Sequence, residues 1–127
     1  MQTSLVTPYI FAALVVILGA NAGLTETLGA HPFWSIRVAW VGVPLGLIAA
    51  VAAKHLGVRW ALRTALFLIG AAIAYAIAVA GKDRFAASFA EDVLAGRLWY
   101  FGWIATCAFA AALIAAAFSP TRPLPAD

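Results

Sequence analysis

Glu26 and His31 are the residues from which any chemical reading of this sequence has to start. Glu26 is the only acid before Asp83, and His31 is one of two histidines. Both lie in residues 25–37, Thr-Glu-Thr-Leu-Gly-Ala-His-Pro-Phe-Trp-Ser-Ile-Arg, the one polar break in an apolar first half. With Trp34 and Arg37 they offer a carboxylate, an imidazole, a ring and a cation within one short stretch. Trp99, Tyr100 and Trp103, which open a later apolar run, belong at the same end of the molecule by alternation of the runs. Glu26, His31, Trp34, Arg37, Trp99, Tyr100 and Trp103 are therefore expected to form an outer-face pocket or partner surface.

A second polar cluster is basic. Lys54, His55, Arg59 and Arg63 crowd around Trp60 with no acid among them. Such a patch beside apolar segments suits anionic lipid headgroups, with Lys54, Arg59 and Arg63 as the contacts. No catalytic residues are assigned, and several chemistries drop out on residue arithmetic. One cysteine, Cys107, leaves no thiolate zinc or iron–sulfur set, and His31 and His55 fall at opposite ends of one apolar run, which is wrong for a bis-histidine haem. No metal site is expected, the cofactor is left unknown, and there is no G-x-S-x-G, H-E-x-x-H or phosphate-cradling glycine loop.

What positions these residues follows from composition. A chain of 127 residues that is 65% hydrophobic and 10% charged cannot hide its apolar surface in a soluble core. Hydrocarbon is then the solvent, and backbone polar groups must be satisfied within helices or a closed barrel. Alanine- and leucine-rich runs without period-two alternation select helices. The expected fold is all-α: one integral membrane bundle of four transmembrane helices over residues 5–24, 34–53, 60–81 and 98–118. A short amphipathic interfacial helix is expected at 83–95, where Phe85, Phe89 and Val93 repeat every four residues among charges, with Gly96 ending it. Ala20-Asn21-Ala22 resembles a leader-cleavage pattern, but no Lys or Arg precedes it, so the first run is expected to be retained as a span.

Small residues mark the packing faces. Gly19 and Gly23 place Glu26 on their face if the first helix continues, so this acid is expected to point inward. Gly42 and Gly46, with Ser35, Ala39, Ala49 and Ala53, form a nearly bare face around Pro44, where a kink is expected; Gly70 opens a similar stripe with Ala74, Ala78 and Gly81. No acid or base lies near the middle of a run, which removes the usual mark of an ion-coupled pump.

Four spans put both termini on one side. Lys and Arg divide evenly, Lys54, Arg59, Arg63 and Arg122 against Arg37, Lys82, Arg84 and Arg97, and the acid-free 54–63 cluster tips both termini toward the cytoplasm of a bacterial inner membrane. The net charge of +3 is too scattered for nucleic acid; membrane lipids and other membrane subunits, or further copies of the chain, are the expected partners. The leading expectation is a non-catalytic accessory or structural subunit of a larger respiratory, photosynthetic or transport complex. The alternatives are a homo-oligomeric transporter or channel lined by the Gly42–Gly46 face, and a small membrane enzyme or lipid- or quinone-binding protein using Glu26, His31 and the tryptophans.

Overall fold

The computed structural model describes residues 2–119, with side chains from residue 5 onward. Within them it is all helical: α1 (Gln2–Asn21), the single turn α2 (Leu24–Thr27), α3 (Arg37–His55), α4 (Trp60–Ala87) and α5 (Val93–Ala117). By length and composition α3, α4 and α5 can each cross a membrane. Residues 2–25, 38–53, 64–81 and 98–119 carry no Asp, Glu, Lys or Arg. At 1.5 Å per residue the uncharged helical stretches of α3, α4 and α5 (38–53, 64–81 and 98–117) are about 24–30 Å long, close to the depth of a bilayer core. The tail from residue 120, with Arg122, lies outside the described residues.

α5 is the hub. α1, α3 and α4 all pack on it, α3 barely meets α4, and from Gly102 to Ala117 no α5 residue is exposed. α1 and α4 run antiparallel to α5: Phe11 meets Phe118 with ring centres 5.2 Å apart, and Ala78 lies against Gly102. α3 runs parallel to it, with Gly42 against Ile104 and Gly46 against Ala108. The start of α1, the α3–α4 connection and the end of α5 therefore share one end of the bundle. The 22–36 segment and the α4–α5 turn share the other.

The core explains this closeness. It is mostly alanine, and the largest fully enclosed side chain is Val38. Small residues let backbones touch, which is how helices associate in a solvent as apolar as themselves. The face of Gly42 and Gly46 is thus spent against α5, while Pro44 turns outward. Among the described residues, α5 covers that face at both glycines. Gly70 likewise packs against the Phe109 ring, whereas Gly19 has only Leu24 nearby and Gly23 nothing.

Two expected features are corrected. The first helix does not carry Glu26 inward: it stops at Asn21, and Gly23 takes a left-handed φ of 95° that resets the register. Thr25 fills the buried position and Glu26 is exposed. Nor is there an interfacial helix at 83–95. Residues 83–87 continue α4, residues 88–92 turn, and α5 starts at Val93, so Gly96 lies inside a helix. Local hydrogen bonds override the four-residue apolar repeat. The Ser88 hydroxyl donates to the Phe85 carbonyl (2.9 Å) and accepts from the Asp92 N–H (2.9 Å), and the Asp92 carboxylate caps α5 by accepting from Ala95 N–H (3.0 Å).

This turn is strained. α4 ends with Phe89 N–H on the Ala86 carbonyl (3.1 Å) and Ala90 N–H on the Phe85 carbonyl (3.0 Å), a Schellman pair. α3 ends in the same way on Gly57, but here Phe89 (φ 57°) and Ala90 (φ 67°) occupy the left-handed region. Phe89 is 90% exposed, so its ring contributes little packing within the chain. Phe89→Gly is expected to stabilise the protein by about 1 kcal/mol. A higher thermal midpoint in detergent checks this; an unchanged or lower one counts against it.

Candidate functional site

The site forms where the 22–36 segment folds back over the first turns of α5 and the last turns of α4. This segment is pinned by hydrogen bonds to its own backbone and to both helices. The Thr25 hydroxyl donates to the buried Ser35 carbonyl (2.7 Å) and closes the loop on itself. The Tyr75 hydroxyl of α4 donates to the Leu28 carbonyl (3.0 Å), and Trp99 Nε1 of α5 donates to the Gly29 carbonyl (3.0 Å). The Tyr75 and Trp99 bonds span the fold, not neighbouring turns, so the loop position is set by tertiary contacts. Trp99→Phe keeps the ring but removes the donor, a loss of about 1 kcal/mol. Amide exchange over residues 28–31 is then expected to quicken roughly fivefold; unaltered exchange would show that this bond does not hold the loop.

Pinned in this way, the loop lays His31 and Trp34 on α5. His31 lies beside Trp34 (ring centres 6.0 Å apart, 29° between planes) and edge-on to Trp99 (5.5 Å). Trp34 meets Trp99 at 5.2 Å and Tyr100 at 5.1 Å, both edge to face, the favoured geometry for aromatic pairs. Phe85 reaches over from α4 to Trp99 (5.9 Å). Beside these rings is an open cleft of about 430 Å³, within the range of small-molecule sites. His31, Trp34, Phe85, Arg97, Trp99 and Tyr100 supply most of its functional groups. His31 Nδ1 accepts the Phe33 N–H (3.0 Å), so the neutral imidazole carries its proton on Nε2.

Of the residues expected to gather here, His31, Trp34, Trp99 and Tyr100 do line the cleft. Trp103 lies beneath it, 2% exposed, with its ring against Tyr75 (5.6 Å). Glu26 and Arg37 are exposed and not part of the lining. Phe85 is expected at this face only as part of the 83–95 helix, and Arg97 is a functional group that sequence reasoning did not assign to the site. The signal was Asp92: read as the cap of a helix, it puts Val93, Gly96, Arg97 and Tyr100 on one face at three- and four-residue spacings.

The basic cluster at the other end is occupied with protein structure. Lys54 Nζ donates to the Ser119 hydroxyl (3.0 Å), Trp60 Nε1 donates to the Ala117 carbonyl (3.2 Å), and Arg63 donates to the Ser119 carbonyl through Nη2 and to the Val58 carbonyl through Nη1 (2.9 Å). Arg63 is buried and Lys54 half-buried; Arg59 alone of the three expected lipid contacts is exposed. Among the described residues no three His, Cys, Asp or Glu side chains gather to hold a metal ion. Comparison with protein-family models, curated proteins and solved structures finds no match to this chain.

Proposed function

We propose that this chain is a four-span integral membrane protein that works by binding, as a non-catalytic subunit of a larger membrane assembly. The reading rests on the cleft: three distant parts of the chain supply its aromatic and donor-bearing residues, and among the described residues no nucleophile with a matched base lines it. The fourth span is α1, whose 20 residues carry no charge and, at about 30 Å, equal the bilayer core in length. Loop residues at both ends of the bundle support immersion, since Phe33, Leu56 and Phe89 are apolar and at least 80% exposed. Rings and aliphatic side chains at that depth suit the headgroup region.

Both termini face the cytoplasm in this reading, with the acid-free 54–63 connection beside them. A reporter fused at the C terminus is expected to be active only in its cytoplasmic form; activity only outside would reverse the orientation. Purification in mild detergent followed by mass spectrometry tests the subunit assignment. Other membrane polypeptides at fixed stoichiometry are expected, and a well-behaved homo-oligomer without them would refute it.

A further inference from the structure

We propose that the cleft binds the head of a tailed quinone, a flat electron-poor ring with carbonyl acceptors, and that α5 carries its apolar tail. This rests on the cleft being a binding site, and is independent of whether the chain is a subunit of an assembly.

The polarity of the lining selects the ligand. The lining is mostly apolar ring surface, and residues that carry hydrogen-bond donors, Arg97, His31, Trp34 and Tyr100, are among those that form it, with no carboxylate residue among the described lining residues. Trp99 Nε1 is already used on Gly29. A site of donors without an anion suits a ligand that accepts hydrogen bonds and is not a cation. An aromatic cage for a quaternary ammonium has the opposite logic, because Arg97 repels the ammonium that the ring faces attract. A phosphate group suits it poorly as well: anion sites gather several cations or backbone N–H groups, and this one has a single arginine among ring faces. A quinone uses both features. Its carbonyls accept from the donors, and its electron-poor ring stacks against electron-rich indole.

The tail has a place to go. Leu94, Leu98 and Phe101, at four- and three-residue spacing, form the stripe on α5 next to Arg97 and Tyr100. All three are exposed, on a helix otherwise covered from Gly102 onward. The stripe leads from the cleft into the uncharged stretch of α5. Binding alone is proposed, with no electron transfer.

The test uses the full chain in phosphatidylcholine nanodiscs, titrated with decylubiquinone while tryptophan fluorescence is followed. Saturable quenching is expected. Arg97→Gln, which alters an exposed side chain, is expected to weaken the apparent affinity about tenfold, as loss of a charged hydrogen bond does. Trp34→Leu should weaken it further, and Trp40→Leu, on the exposed face of α3, should leave it unchanged. Should Trp34→Leu fail to fold, the comparison of Arg97→Gln with Trp40→Leu still decides. Quenching that rises linearly and equally in all variants reflects partition into lipid and overturns the proposal. So does full displacement of the quinone by a modest fraction of phosphatidylglycerol, which would make an anionic headgroup the occupant. Neither result touches the subunit assignment, which co-purification decides separately.

Discussion

Gly46→Ala is expected to break the bundle. A Cβ at that position would stand 2.0 Å from the Ala108 carbonyl oxygen and 2.8 Å from its carbon. Both obstacles are backbone of α5, so no side chain can swing aside, and the whole of α3 has to move away. One turn earlier, a Cβ on Gly42 would meet the Ile104 carbonyl oxygen at 2.6 Å, so α3 cannot pivot about that point either. Overpacking a close seam costs about 3 kcal/mol when nothing can yield, the upper part of the usual range. Gly19→Ala is the matched control. Its Cβ would touch only the Leu24 side chain at 3.4 Å, and alanine favours a helix interior by roughly 0.5–1 kcal/mol. Size-exclusion profile and thermal midpoint should collapse for the first substitution and hold or improve for the second. Equal tolerance of both would mean that α3 and α5 are not in backbone contact.

Arg63→Met should cost about 3 kcal/mol, with the loss concentrated at the end of α5. Arg63 lies in the first turn of α4, where the helix dipole disfavours a cation. What offsets this is the neighbour: α5 is antiparallel, and its negative C-terminal end reaches the same level. Trp60 donates to the Ala117 carbonyl, which a helix end otherwise leaves unmet, and Lys54 and Arg63 donate to the hydroxyl and carbonyl of Ser119 just beyond α5. Methionine fills comparable length but leaves the Val58 and Ser119 carbonyls without that donor. Lysine keeps the charge yet lacks the forked guanidinium that reaches two carbonyls, so Arg63→Lys should fall between. Arg59→Gln, at an exposed neighbouring position, should stay within about 0.5 kcal/mol. Amide exchange over residues 114–119 and the thermal midpoint together check this. If Arg63→Met behaves like Arg59→Gln, the clamp contributes nothing.

The basic cluster shows how residue type and residue role separate. Its charges were legible, and lipid headgroups were a reasonable expectation for them. Its main partner is Ser119, 56 to 65 positions away along the chain, and no local pattern announces such a pairing. The bare face of Gly42 and Gly46 is similar: a close-packing surface was evident, but not that α5 of the same chain would fill it. At 83–95 a local rule was outvoted by another local rule. The four-residue apolar repeat invited a helix, whereas Ser88 and Asp92 offered side-chain partners to the backbone that end one helix and start the next. Glu26 was misplaced by a single residue, Gly23, whose left-handed conformation rotates everything after it.

The cleft divides along the same line. His31, Trp34, Trp99 and Tyr100 were foreseeable as a group because alternation of apolar runs puts them at one end. Arg97 was not, and Phe85 was placed there only through a helix that does not form, because their membership depends on where α4 stops and on which face α5 turns to the loop. By itself the sequence determined that the chain is helical, that its charges lie outside long uncharged stretches, and which end carries the aromatic groups. Those properties arise residue by residue, from transfer between water and hydrocarbon and from backbone groups that must bond within helices. Only the tertiary structure decided that α5 is the hub, that Arg63 closes it, and that side chains from three separate segments border one cleft. Those depend on which helices are neighbours and at what rotation, a choice made by backbone contact among near-identical alanine and glycine faces.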